Sequence, residues 1–538
     1  MPANSKKTRS LAGIAGIVAF ATLISKIFGL VREQAIAAAF GVGPAVNAYA
    51  YAYVIPGFLL ILLGGINGPF HSALISVLAK RDRSEAAPLV ETVTTLVSAI
   101  LLVVTVLQIV FAGPIIDILA PGLETTARGI AILQLQIMAP LAVFAGLIGI
   151  GFGTLNAADQ YWLPSISPLF SSLAVIVGIG ILAWELGSQI NAPQYLQIGS
   201  IVLAGGTLLG AILQWLAQIG AQWQAGMGKL RLRFDWRLPG VMDVMKIMVP
   251  ATLSSGMLHI NVYTDLFFAS FINGAAAAMR YANFIALTPL GIISNALLVP
   301  LMPVFSRLAA PENWSDLKLR IRQGLLLSAL TMLPLTAIFL ALSGPIVRII
   351  YQRGAFNLAA SEMVVPVLMA YGVGMFFYLG RDVLVRVFYA LGDGETPFRI
   401  SILNIFLNAL LDFLLVKVLA TPGLILATVS VNIISMVIFL WILHRRLRGL
   451  PWQEWGVALL QLTAISLVAG ISSWIINWGG ERLLGRGNLL WELLELTLAI
   501  TIGLIIFSLL AVRLKLPEVE ILASRLQKKF RRDRKASN

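Results

Sequence analysis

The stretch GVGPAVNAYAYAYVIP, residues 41–56, has a counterpart in NGAAAAMRYANFIALTP, residues 273–289. In each, a Gly/Ala-rich corner leads into a helix start of small residues and tyrosine, and a proline follows seven or eight residues after the tyrosine. GTLNAADQYWLPSISPLFSSL (153–173) and FYALGDGETPFRISILNIFLN (388–408) form a second pair at nearly the same offset, about 232 residues. Two matches at one offset mark an internal repeat. The sequence around these motifs is filled by apolar runs of about 20 residues or more, long enough to cross a hydrocarbon core of roughly 30 Å. Six runs separate equivalent points, an even number, so the two halves share one orientation and are related by an axis along the membrane normal.

Composition agrees. Of 538 residues, 58% are hydrophobic and 12% charged, and the mean hydropathy of +0.88 lies far outside the range of soluble domains. The expected fold is an all-α polytopic membrane protein of about 14 transmembrane helices. The spans fall near 10–40, 46–79, 87–119, 127–157, 161–187, 196–224, 241–272, 275–306, 323–344, 358–391, 399–420, 423–444, 454–478 and 488–512. Two like-oriented six-helix lobes then surround a central cavity, with two C-terminal helices outside the repeat. The organisation reads as an N-terminal lobe (1–225), a basic linker (226–240), a C-terminal lobe (241–450), the last two spans (451–512) and a basic tail (513–538). In the tail, Val519, Leu522, Leu526 and Phe530 stand at helical spacing beside a basic face, the pattern of a helix lying on an anionic leaflet.

The net charge of +14 is first a topology signal, because Lys and Arg accumulate in cytoplasmic loops. With the N-terminus inside, Lys80, Arg81, Arg83, Lys229, Arg231, Arg233, Arg237, Arg445, Arg446 and Arg448 fall on inner ends, and only Arg128, Arg348, Arg353, Arg482 and Arg486 fall outside. Both termini are expected in the cytoplasm, and nucleic acid is not an expected partner. The start KKTRSLAGIAGIVAFATL imitates a secretory signal, but the helix runs on for two more turns, so no cleavage is expected. Cysteine is absent and histidine occurs three times, which excludes thiol chemistry and Cys/His zinc sites. No phosphate-binding G-x-x-x-x-G-K-[ST] loop occurs, so ATP is not the direct energy source.

The charges placed inside spans carry the functional reading, since each costs a few kcal/mol there and faces a bundle interior or wet cavity. Lys26 and Arg32 of the first span lie about 9 Å apart along a helix, with Gly29 between them allowing a bend or close packing. Arg32 and Glu33 are neighbours and do not share a helix face, so Glu33 is expected to find its partner on another helix. Cations in a cavity suit an anionic substrate, because Arg and Lys recognise phosphate; a structural ion pair is the plainer alternative. In span 10, Asp382 and Arg386 pair at i, i+4, which leaves Arg381 free. Arg280 stands near the outer end of span 8. Asn408 and Asp412 share one face of span 11, Asp265 lies in span 7 and Thr428 in span 12. These oxygens fit either a site for a hard monovalent cation such as Na+ or a polar packing network. His71 and His259 read as hydrogen-bonded helix residues, and Asn67-Gly68-Pro69 as a break in span 2.

At these residues the chain resembles the MurJ (MviN) family of lipid II flippases, within the superfamily of multidrug and oligosaccharide-lipid/polysaccharide exporters. The first-span signature S-[RK]-x-x-G-x-x-R-[DE] matches Ser25, Lys26, Gly29, Arg32 and Glu33. YQRGAFN (351–357) and VFYALGDGETPF (387–398) match too, and the likeness runs from residue 10 to 512. The resemblance implies a lipid-tail groove in the last two helices and transport of undecaprenyl-pyrophosphate-disaccharide-pentapeptide across the bacterial cytoplasmic (inner) membrane for peptidoglycan synthesis. It places the family's sodium site on Asp265, Asn408, Asp412, the backbone of Leu424, and Thr428, with Na+ as coupling ion and no other cofactor. Substrate-binding residues are then Ser25, Lys26, Gly29, Arg32, Glu33, Arg280 and Arg381, and the partners are lipid II, membrane lipids and cell-wall synthesis proteins. Two cavity arginines of the family are replaced here by Leu60 and Phe284.

The expected activity is therefore lipid II flipping by alternating access, without covalent chemistry. Export of another lipid-linked glycan or of an amphipathic drug is the alternative within transport. A polyprenyl-linked glycosyltransferase would need a large outer loop with an essential acid or base, and the outer connections are all short. A non-transporting scaffold would tolerate loss of Arg32 or Asp412.

Overall fold

The computed structural model describes residues 11–65, 68–78, 81–257, 260–485 and 487–520. Lys6, Lys7, Arg9, Asn67, Lys80, His259, Arg486 and the tail beyond residue 520, on which several expectations rest, lie outside the described residues. All regular structure among the described residues is helical. Among the described residues eleven segments are long and apolar enough to cross a membrane, against the fourteen expected of the whole chain. Part of the difference is a merger: the 52-residue segment Glu395–Arg446 joins two helices across Ala420, whose φ of 48° and ψ of −134° are not helical.

The chain forms two compact units. The first contains α1 (Leu11–Phe40), α2 (Pro44–Gly64), α3 (Pro69–Leu78), α4 (Arg83–Val110), α5 (Ala112–Leu119), α6 (Thr125–Met138), α7 (Leu141–Ala157), α8 (Trp162–Ile166), α9 (Pro168–Leu186), α10 (Leu196–Gln224), α11 (Val241–Met257) and α12 (Ile260–Ala269). Residues 353–357, from the YQRGAFN motif, pack with this unit as well. Its core joins Leu62 of α2, Phe70 and Leu74 of α3, Leu89, Val93 and Val97 of α4, and Val244 and Met248 of α11. Helix α7 packs closely because it is rich in glycine: a Cβ on Gly149 would lie 2.0 Å from the Leu63 carbonyl oxygen. The expected break in span 2 is present, since α2 ends at Gly64 and α3 begins at Pro69.

The second unit begins within α13 (Ala275–Arg307) and continues through α14 (Trp314–Tyr351), α15 (Leu358–Ala390), α16 (Glu395–Arg446), α17 (Trp452–Leu484) and α18 (Leu489–Arg513). Its buried centre includes Phe305, Ile321, Leu325, Met332, Val383 and Leu384, and Phe388 stacks obliquely on Phe439 with ring centroids 5.1 Å apart. Glu395 in the first turn of the first helix of α16, and Arg445 and Arg446 in the last turn of the second, each suit the dipole of the helix end they occupy. On α17 and α18, Leu460, Ile471, Leu490, Leu498 and Leu509 are exposed, as side chains facing hydrocarbon should be.

The backbone carries the repeat more sharply than the sequence does. Gly41 and Gly274, Asp159 and Gly392, and Gly187 and Ala420 all have positive φ, and each pair is separated by 233 residues. The last pair is nearly superposable, with φ and ψ of 54° and −128° at Gly187 and 48° and −134° at Ala420.

Candidate functional site

Helix α1 runs unbroken through Gly29 from Leu11 to Phe40. Ser25 donates its hydroxyl to the Ile166 carbonyl at 3.3 Å, tying α1 to the short helix α8. Lys26 is exposed and Arg32 partly buried, whereas Glu33 is only 1% exposed. The neighbour rule fails here. The Arg32 guanidinium folds back along the helix and donates twice to Glu33 Oε1, from Nε at 3.2 Å and Nη2 at 2.8 Å. Adjacent residues point in different directions at Cβ, but two long side chains span that angle. The pair keeps a cation part-exposed on a helix whose other charges are few.

Leu60, at one position where a family arginine is expected, packs against the apolar core of the first unit. Asp265 is buried on α12, 8% exposed. His71 Nε2 and the Asn156 amide are hydrogen-bonded at 2.7 Å, as expected of a hydrogen-bonded helix residue, while His71 Nδ1 is buried without a partner among the described residues.

In the second unit, a fully buried polar pair lies in α16. Asn408 and Asp412 are both 0% exposed, and the Asn408 amide donates to Asp412 Oδ2 at 2.8 Å. The turn at Ala420 returns the chain, and the Thr428 hydroxyl donates to Asn408 Oδ1 at 3.2 Å. Leu424 is fully buried nearby in sequence. The ladder continues beyond the predicted residues: Asn432 donates to the Thr428 carbonyl at 2.7 Å, and Ser435 donates to Asn404 Oδ1 at 2.7 Å. Asn404, Asn408 and Asp412 repeat at i, i+4, i+8, a signal in the sequence from which only the last two were read.

The donor chemistry is amide, hydroxyl and carboxylate oxygen, without thiol or imidazole, and such a set fits a hard monovalent cation. Among the described residues no group of three or more His, Asp or Glu side chains gathers in a way that could hold a metal ion. Asn408, Asp412 and Thr428 are thus brought together by the structure.

Arg381 is not free. It lies 3.9 Å from its neighbour Asp382, whose side chain is 51% exposed, so the carboxylate expected to pair with Arg386 at i, i+4 pairs with Arg381 instead. Arg280 is partly buried in the first turns of α13. A cavity of about 690 Å³ near the ends of α14 and α15 is lined by Arg348, Gln352, Ser361, Glu362 and Glu492. Arg348 pairs there with Glu481 at 2.7 Å. The sequence reading counted Arg348 only as an outer charge, although acidic residues on α17 and α18 marked where its partners stand.

Comparison with known proteins adds the family. The sequence model described as lipid II flippase MurJ matches residues 36–485. A relative from Synechocystis, described as a probable lipid II flippase MurJ, is 63% identical over 532 residues, covering 99% of this chain and all of the relative. The lipid II flippase MurJ of Burkholderia cenocepacia is 27% identical over 494 residues, covering 88% and 92% of the two chains. Among solved structures, a lipid II flippase MurJ in an inward closed conformation shares the fold with a TM-score of 0.75 at 23% identity, over 93% of this chain and 99% of that one. An inward-facing multidrug transporter of the MATE family shares it less closely, with a TM-score of 0.57 at 17% identity over 81% and 98%.

Proposed function

Because this chain belongs to the MurJ family of lipid II flippases, we propose that its part-buried cations receive the pyrophosphate of lipid II while the molecule crosses between leaflets. The chain is a multi-pass membrane transporter that flips lipid II for peptidoglycan synthesis. The observation that carries this is the end-to-end likeness to a MurJ relative, 63% identical over 532 residues. Export of a drug or of another lipid-linked glycan is not favoured, since the multidrug transporters share only the fold.

The finer mechanism is our reading. Arg32, held by Glu33 in one orientation, presents guanidinium hydrogens that suit phosphate oxygens. Lys26, exposed and on a flexible stem, adds a point charge, and Arg280 and Arg381 supply further positive charge from the second unit. The lobes rock between inward-open and outward-open states, the polyprenyl tail stays in lipid along α17 and α18, and no covalent step is needed. Asn408, Asp412, Thr428 and the Leu424 carbonyl, with Asp265, are the residues that would hold Na+. When bound, Na+ would couple the cycle to its own gradient, and either that gradient or the membrane potential would bias the return step. The reading places the chain in the bacterial cytoplasmic membrane with both termini inside, beside the enzymes of cell-wall synthesis.

The test is lipid II exposure on the outer leaflet of bacteria depleted of their own flippase and expressing this chain, with Arg32→Ala at equal membrane abundance as control. Restored exposure that Arg32→Ala abolishes is the expected result. Correct insertion without restored exposure overturns the reading and makes Leu60 and Phe284 markers of a different substrate.

A further inference from the structure

The basic link GMGKLRLRFDWRLPG, residues 226–240, is more than a topological signal. Its non-helical middle is fastened along α4. The Lys229 N–H donates to Glu91 Oε1 at 2.9 Å, and the Arg233 N–H donates to Thr95 Oγ1 at 3.1 Å. The Thr95 hydroxyl divides its hydrogen between the Glu91 and Arg231 carbonyls, and the Arg233 guanidinium lies 3.7 Å from Glu91. Both ends are held too, by Gln222 on the Met227 carbonyl and by Arg81 on the Pro239 carbonyl.

What this fixed segment displays is unusual. Leu230, Leu232, Phe234 and Trp236 are 53%, 86%, 66% and 71% exposed. They alternate with Lys229, Arg231, Arg233 and Arg237, all exposed, against the single acid Asp235. A row of large apolar side chains held open to water by its own hydrogen bonds would be costly, at about 25 cal/mol per Å² of apolar surface. The level of the segment resolves the cost. The exposed large apolar side chains of α4 begin at Ile100, five residues beyond Thr95 and therefore about 7.5 Å further along the helix axis. Residues 229–237 thus run where water gives way to hydrocarbon, the level that tryptophan prefers.

We propose that residues 229–237 are a built-in anchor for anionic phospholipid. Leu230, Leu232, Phe234 and Trp236 enter the acyl boundary, and Lys229, Arg231 and Arg237 gather the phosphates of the same leaflet. The excess of positive charge selects acidic headgroups over zwitterionic ones. Because Glu91 and Thr95 fasten the segment to α4, the lipid it gathers also steadies that helix. The inference needs the assignment of this end to a lipid interface, and does not depend on which lipid-linked molecule the chain carries.

The chain contains no cysteine, so Leu232→Cys carrying an NBD fluorophore gives a single reporter on the full-length protein. The protein is reconstituted in vesicles of phosphatidylcholine containing phosphatidylglycerol, without lipid II. Spin-labelled phosphatidylglycerol should quench the label more strongly than spin-labelled phosphatidylcholine. Lys229→Gln, Arg231→Gln and Arg237→Gln should each lower that preference by roughly fivefold, while Arg233 is left intact because it also holds Glu91. Trp236→Cys provides a second reporter should Leu232→Cys fold poorly. Equal quenching by both lipids, or emission and iodide quenching typical of water, overturns the proposal. A label shielded from iodide yet quenched by neither lipid assigns the surface to a protein contact and overturns it as well. Lipid II transport is absent from every arm, so failure here leaves the flippase reading untouched.

Discussion

Helix α9 and the first half of α16 occupy the same place in the two halves of the repeat, because the 233-residue offset aligns their closing corners at Gly187 and Ala420. At two aligned positions α9 carries Val175 and Ile179, buried to 1% and 4% exposure, and α16 carries Asn408 and Asp412, both fully buried. Apolar side chains therefore satisfy this position wherever only packing is asked of it. The polar ladder is not required by the fold, and burying an amide and a carboxylate costs free energy that valine and isoleucine do not. A group retained against that cost, in one half and not the other, is there for a task. The same offset aligns Arg32 with Asp265, so the two halves also differ in the sign of an intramembrane charge.

The most severe test exchanges the residues. Asn408→Val with Asp412→Ile gives the second half the chemistry of the first. The double variant should insert and unfold at the same temperature as the parent or higher, since replacing a buried polar pair by apolar residues of similar volume is often neutral or stabilising, yet lipid II exposure should fall to background. Asp412→Ile alone should cost about 1–3 kcal/mol, because the Asn408 amide loses its acceptor while remaining buried. Retained transport in the double variant would break the comparison and return the ladder to packing.

The next test asks whether Arg32 serves Glu33 or the substrate. Arg32→Gln takes the guanidinium from a nearly inaccessible carboxylate, and thermal unfolding should register about 1–3 kcal/mol, less than a fully buried pair because Arg32 is partly exposed. Arg32→Gln with Glu33→Gln should recover the stability and leave transport lost. Recovery of both would make the pair structural.

The aligned corners give a smaller effect of opposite sign in the two halves. Ala420 holds a backbone conformation that glycine adopts freely, so Ala420→Gly should stabilise by about 1 kcal/mol. Gly187→Ala should lose a similar amount through strain alone, because a Cβ there would meet no atom within 4 Å. Equal and opposite shifts in unfolding temperature would confirm that the halves share one corner geometry.

Much of this was legible before any coordinates. Span length, the Gly-Pro corners and the Tyr-Pro spacing carry the membrane fold, because bilayer thickness and backbone hydrogen bonding leave few other solutions. The repeat was visible only where glycine marked it. Asp159 and Ala420 take the same left-handed conformations as Gly392 and Gly187 without the residue that advertises them. The i, i+4 pair of Asn408 and Asp412 was legible because helix geometry is local, whereas the Ser435–Asn404 bond depends on how the chain returns after Ala420. Arg32 and Glu33 were misread because face arguments locate Cβ atoms and not the ends of long side chains. The link at 226–240 read as charge alone, since its fastening to Glu91 and Thr95 joins residues 138 apart.

The smallest predicted effect separates the halves by pH. At the position aligned with Gln160, which does not titrate, the second half carries Asp393. Burial alone would push its carboxyl up, but the Thr396 N–H and hydroxyl and the Arg446 guanidinium outweigh burial and hold it below the ordinary 3.8. The contacts are short, at 3.0, 2.8 and 2.7 Å. A carboxyl depressed in the folded state binds fewer protons there than in the unfolded chain. It therefore contributes its full stability above the unfolded value and loses it as pH falls through the folded one. The unfolding temperature of the parent should exceed that of Asp393→Asn by a constant margin from neutral pH down to about pH 4, and the margin should shrink below that. A margin that instead grew on acidification would mean that Asp393 is held protonated, and the aligned turns would then differ in packing and not in charge.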